Sequence, residues 1–334
     1  MYSDEELVSA MEAGVMTQEQ VTAFRNHVEQ ERTTPAVDEE HFRLITGFND
    51  IFVVIACVLL LVSVTWIGGA VSSSFAYVLQ AATAWSLAEY FTLKRRMSLP
   101  SIVLLLAFVG GVFTAGVDML STSGLSADIT KGIPSAIAAF AAWCHWKRFK
   151  VPVTVAAGIG TLAAGAILLL VGFIPEIRGF ILPLVFIAGL AVFFLAMRWD
   201  SSDTRRQTGR SDVAFWLHLL AAPLMVHPVF SLLMFGESNV GVIQASIVIS
   251  LYIVIAVVSI SIDRRALMVS ALAYVLYAIN SILEVYGVVS LGFAFTAFAI
   301  GSGLLLLSAF WHICRKVLLD YYPSSIREHL PALR

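Results

Sequence analysis

The sequence predicts an all-α protein: a polytopic integral membrane bundle of about ten transmembrane helices, with a small cytosolic N-terminal helical hairpin. Three observations predict it. Of 334 residues, 59% are hydrophobic and 13% charged, with mean hydropathy +0.85; soluble domains carry about 25% charged residues. Apolar runs long enough to cross a bilayer recur from Ile51 onward. Basic residues collect in every second connection between those runs, as expected of cytoplasmic loops.

The first 37 residues form the cytosolic hairpin and its linker. Ser3 with Glu6 makes a capping-box pattern, followed by the apolar face of Leu7, Ala10 and Met11. Gly14 suits a helix end. Thr17 with Gln20 repeats the box ahead of Val21, Phe24 and Val28. So short a hairpin buries little alone. It is expected to cap its own membrane domain or to serve as a partner or self-association module. The acid-rich start, with no early apolar core, argues against a signal peptide. Residues 33–38, with Pro35, are the linker, and a juxtamembrane helix from Asp38 opens the transmembrane region 38–314.

Ten spans follow from apolar runs bounded by charges and turn residues. They are expected at 50–67, 75–93, 100–118, 132–146, 151–173, 180–197, 213–234, 240–262, 266–286 and 290–313. The fourth is short and must thin the bilayer or borrow flanking residues from 128–150. With the N-terminus inside, the inner segments hold all of the 21 Lys and Arg residues except Lys131 and Arg178. Removing one span would invert every later loop and destroy this bias. The pattern therefore places both termini in the cytoplasm, with 315–334 as an interfacial tail. There Ser325 and Glu328 cap a short helix whose Ile326, Leu330 and Leu333 share a face.

Inner basic turns recur near Arg95, Arg148, Arg206 and Arg264, at intervals of 53, 58 and 58 residues. Either an ancient hairpin is repeated or two spans and two short loops simply occupy that length. Small residues four apart mark close-packing faces at Ala107/Gly111/Ala115, Ala156/Gly160/Ala164 and Ala297/Gly301. These faces serve packing within the chain or self-association.

Signatures of nucleotide, metalloprotease or serine-hydrolase chemistry are missing from the sequence. Cys57, Cys144 and Cys314 are isolated, with no metal-ligand spacing. No metal, cofactor or nucleic acid is expected, and membrane lipid is the expected contact. Ionisable residues inside a membrane are the default functional candidates. Most sit at span ends: Asp50, Glu89, His145 and His312 toward the cytoplasm, Asp118, Glu176, Glu237 and Glu284 toward the outside. Glu89 is expected to make a structural pair with the nearby basic turn. Asn280 and Glu284 share a face with Tyr277. The seventh span, DVAFWLHLLAAPLMVHPVFSLLMF, holds two prolines, Pro223 and Pro228, and two histidines, His218 and His227. The prolines deprive the carbonyls of Leu219 and Leu224 of donors. In hydrocarbon those carbonyls need other partners. His227 is thus the leading candidate to line a polar cavity, with Asn280 or Glu284 opposite. A kink holding a hydrogen-bonded core histidine is the other reading. His218, nine residues back, falls about 180° around the helix and is not expected to share that site.

The leader LVSAMEAGVMTQEQVTAFRNHVEQ, the entry into the first span FRLITGFNDIFV and the inner turn AEYFTLKRR resemble a group of bacterial predicted membrane proteins catalogued as domains of unknown function. The resemblance implies a many-spanned protein of the bacterial inner membrane. It carries over no functional residue. Two functional classes are expected to compete. One is a transport or lipid-handling protein, or a membrane-embedded assembly subunit, without catalysis. The alternative is an intramembrane enzyme acting on lipid, for which Asp118, His227, Asn280 and Glu284 would have to converge.

Overall fold

In the computed structural model, the described residues are Leu7, Ala10, Met11, 13–24, 48–203, 209–234, 242–285, 292–323 and Leu330. They fall into two compact units, Met1–Arg43 and Leu44–Leu333. In the first, the Thr17 box forms as the sequence predicts. The Thr17 amide donates to Gln20 Oε1 at 2.8 Å, and the Gln20 amide donates to Thr17 Oγ1 at 3.2 Å. Gly14 takes φ +69°, and Leu7 and Val21 are buried. Ser3, Glu6, Val28, the linker and the Ser325–Glu328 box lie outside the described residues.

The second unit is all-helical among its described residues. Its helices are α1 Phe48–Gly69, α2 Ser73–Ala88, α3 Ser98–Leu120, α4 Ala127–Phe149, α5 Val153–Phe173, α6 Ile181–Ser201, α7 Gly209–Met234, α8 Val242–Ile262, α9 Ala266–Val285, α10 Gly292–Ala309 and α11 Trp311–Asp320. A π-helical turn, Glu89–Lys94, extends α2, and a 3₁₀ turn, Pro175–Phe180, precedes α6. Six of these helices are long and apolar enough to cross a membrane, and the count reaches seven if Ile300–Ala309 and α11, bent against each other, form one span. Each predicted apolar segment coincides with a helix, α1 to α10 in order.

Two segments differ from expectation. The fourth gains Ala127–Lys131 before it and Lys147–Phe149 after it, reaching 23 residues, so it borrows its length from polar flanks. The tenth does not run to residue 313. It ends at Ala309, and the chain bends by 71° into α11. Hydropathy continues through FWHIC, but Trp311, Arg315 and Leu319 are drawn inward onto the bundle and are all buried. Tertiary packing here overrides the local apolar pattern.

Consecutive helices pack as antiparallel pairs around the basic turns: α2 with α3, α4 with α5, α6 with α7, α8 with α9. α1 lies on α2 and α3. α7 is the hub of the later helices, meeting α5, α6, α8 and α9. Among the described residues, the non-glycine positions with positive φ are Arg96, Lys150 and Asp263. Each lies in a basic turn, so three turns reverse the chain with the same left-handed step. Ala107/Gly111/Ala115 pack inside the chain, as do Ala156 and Gly160, whereas Ala164 is exposed. A Cβ on Gly111 would lie 3.0 Å from the Tyr77 carbonyl oxygen of α2, and one on Gly160 3.3 Å from Leu220 of α7. Gly301 faces open space.

Candidate functional site

The end of α6, the first half of α7 and the turn between α8 and α9 bring together a buried polar cluster. α6 ends in Arg198-Trp199-Asp200, and Asp200 is 2% exposed. Arg264, 3% exposed, grips it with two bonds: Nη2 to Oδ1 at 2.7 Å and Nε to Oδ2 at 3.2 Å. His218 Nε2, from the third turn of α7, lies 2.9 Å from the same Oδ2. Arg264 Nη2 also donates to the Ser211 carbonyl at 3.3 Å, and its guanidinium lies 6.0 Å from the Phe215 ring centroid. One carboxylate therefore binds one guanidinium and one imidazole, and ties α6, α7 and the α8–α9 turn together. A buried charge is tolerated only when paired in this way.

The preceding residue, Asp263, faces the other way. It accepts from Trp311 Nε1 at 2.8 Å, and its other oxygen lies 3.4 Å from Arg315 Nη1. Arg265 stacks over the Trp311 ring at 4.8 Å. Three successive residues of one turn thus hold α6, α7 and α11. In the sequence, Arg264 and Arg265 read as part of the charge bias and of the recurring basic turns, and neither Asp200 nor Asp263 is among the candidates. A visible signal existed: acidic residues embedded in short connections that are otherwise basic.

A second polar group sits among α2, α3, α4 and α5. His145 is fully buried between the rings of Trp85, Phe108 and Phe149. Its Nδ1 lies 3.3 Å from the Thr154 hydroxyl, and its Nε2 has no protein partner. One turn along, Arg148 makes a two-bond pair with Glu89, at 2.9 and 2.7 Å. Glu89 thus pairs with the next basic turn in the chain. Arg178, one of the two basic residues outside the predicted inner segments, pairs with Asp128.

The sequence-predicted candidates are distributed over several partners. His218 belongs to the Asp200 cluster. Asp118 bonds Ser74 of α2. His227 is exposed on α7, where Nδ1 bonds the Tyr274 hydroxyl of α9 and Ser231 lies 3.3 Å away. Pro223 and Pro228 both lie inside α7, the first exposed and the second buried. Asn280 and Glu284 are on α9, with side chains outside the described residues; Glu237 also lies outside them. Asp118 and His227 are therefore held by different helix pairs, and so are His218 and His227. Among the described residues no three His, Cys, Asp or Glu side chains gather to hold a metal.

A groove of about 380 Å³ opens on the flank of α1, α2 and α3. Val58, Val62 and Trp66 of α1 form one wall, and Val103 and Ala107 of α3 the other. Val62 and Trp66 are strongly exposed, so the groove opens sideways. Its polar groups are Thr65 and Gln80. The Thr65 hydroxyl is shared between the Leu61 carbonyl at 2.8 Å and Gln80 Oε1 at 3.1 Å, while Gln80 Nε2 donates to the Ala107 carbonyl at 3.2 Å. No family model, curated protein or solved structure matches the chain.

Proposed function

We propose that the chain is a ten-span protein of the bacterial inner membrane, both termini cytoplasmic, that handles membrane lipid. The flank groove is the observation that carries this reading. A path for a hydrated solute needs polar lining, whereas this groove is apolar except at Thr65 and Gln80. Its open side faces hydrocarbon when α1 and α3 span a bilayer, and its volume falls in the range of about 300–1,000 Å³ seen for ligand sites. A primary amide carries two N–H groups, and Ala107 engages one of those on Gln80. The second can meet an oxygen of a lipid whose chain lies along Val58 and Val62. The test uses the reconstituted protein and a phospholipid bearing a photoactivatable acyl chain. Crosslinks should concentrate on α1–α3 peptides and fall several-fold in Ala107→Trp, which fills the groove. Labelling spread evenly over the bundle, or unchanged by Ala107→Trp, would refute the assignment.

Threading is supported by the distribution of basic residues and tested separately. Ser73 and Ser202 are both exposed. A cysteine at Ser73 should react with an impermeant maleimide on intact cells, and one at Ser202 only after permeabilisation. Reaction at Ser202 from outside would exclude ten spans with a cytoplasmic N-terminus.

A further inference from the structure

The α10–α11 bend leaves a ten-residue helix with three distinct faces. A helix turns about 100° per residue, so residues four apart form a stripe. Trp311, Arg315 and Leu319 are buried against the bundle. His312, Lys316 and Asp320 form an exposed polar stripe about 100° away. Ile313, Val317 and Tyr321 form a third stripe about 100° further round, and these are 60%, 54% and 83% exposed. Phe310, at the bend, falls in the same sector and is 51% exposed. A helix in water against protein needs two faces. This one has a protein face, a polar face and a second apolar face that none of the described residues covers.

The bend supplies the orientation. α10 is apolar throughout, and spans tilt by about 20° on average from the membrane normal. A helix turned 71° from such a span runs close to the membrane plane. It is fixed there by Asp263, which bonds Trp311 and pairs with Arg315 one turn apart. Lying sideways on the bundle, the helix turns its polar stripe to water and turns Ile313, Val317 and Tyr321 away from the protein, about 160° around from the buried stripe. Tyr321 suits that depth, because tyrosine favours the headgroup level.

We propose that α11 is an in-plane helix whose Ile313/Val317/Tyr321 face binds the phospholipids of the leaflet at the basic-turn end, with Lys316 at their phosphates. The inference uses the membrane placement of α10 and is independent of what the α1–α3 groove binds. Its test is a depth measurement on the full chain in phosphatidylcholine vesicles. Cys57, Cys144 and Cys314 are replaced by alanine, and single cysteines at Ile313, Val317, Lys316 or Ser202 carry a bimane. Lipids brominated near the ester end should quench the labels at Ile313 and Val317 at least about twofold more than lipids brominated near the chain end, as for a face about 5–10 Å into the boundary. Aqueous iodide should quench Lys316 and Ser202 and spare Ile313 and Val317. Iodide quenching of Val317 equal to that of Ser202 would overturn the proposal. So would stronger quenching from the chain end, which would make α11 the continuation of a span. Monodisperse elution of each labelled protein confirms that the bundle is intact, and the two exposed apolar positions check one another.

Discussion

Asp200→Leu and Arg264→Met are each expected to destabilise the protein by about 3–5 kcal/mol, and the double variant by less than either. Each single change leaves one charge buried. Without Arg264, the Asp200 carboxylate keeps only His218. Without Asp200, the guanidinium keeps the Ser211 carbonyl and the Phe215 ring, neither of which neutralises it. Removing both charges together removes the desolvation cost with the attraction, so apolar replacements of similar size are often tolerated. Arg264→Lys should fall between wild type and Arg264→Met, because an ammonium cannot reproduce the two-bond fork. The measurement is the apparent melting temperature in detergent, with a double-mutant cycle for the coupling. Because the pair is 2–3% exposed, raising salt should change little. Additive losses in the double variant would mean that the pair is not a unit. An exposed pair should cost far less to break, because water screens it, and the Arg148–Glu89 pair, half exposed on the arginine side, serves as that comparison.

The contrast between this network and the elements around it shows which features a sequence displays. Helix positions were legible because a span is a local property: some twenty apolar residues between polar ends. The Thr17–Gln20 box was legible for the same reason, its two bonds closing within three residues. The Asp200–Arg264 bond joins residues 64 apart, and Asp200–His218 joins residues 18 apart. No local pattern links them, and Arg264 looks like any other basic turn residue. His227 stood out because two prolines and a second histidine crowd its helix, while its partner Tyr274, 47 residues away, carried no such mark. Thr65 and Gln80 are single polar residues in apolar runs, and their meeting across α1 and α2 is a matter of packing. α10 ends four residues before the apolar run does, because hydropathy continues through residues that fold back onto the bundle.

Gly189→Leu is expected to be strongly damaging at a helix contact. Gly189 is buried in α6 where that helix crosses α7. A Cβ there would stand 2.9 Å from the carbonyl carbon of Leu224, 2.9 Å from its Cβ and 2.9 Å from Met225 Cγ. The Met225 side chain can turn aside, but the Leu224 backbone cannot. The crossing also falls on the peptide that Pro228 leaves short of a donor, since Pro228 has no N–H for the Leu224 carbonyl. α6 thus packs tightly on α7 where the ladder of α7 is interrupted. Overpacking of this kind costs about 1–3 kcal/mol for a small increment, which is the loss expected of Gly189→Ala. Leu, with three further carbons, should force α6 off α7 and lower the yield of monodisperse protein as well as its melting temperature. Gly110→Ala in α3 is the control, with no atom within 4 Å of the added carbon. It should be neutral or stabilising, because Ala exceeds Gly in helix propensity by about 1 kcal/mol. Since α6 also carries Asp200, its displacement should weaken the carboxylate's grip on His218 of α7. The losses from Gly189→Leu and Asp200→Leu should therefore be less than additive. A Gly189→Leu protein that melts with wild type would show that the two helices do not close through this contact.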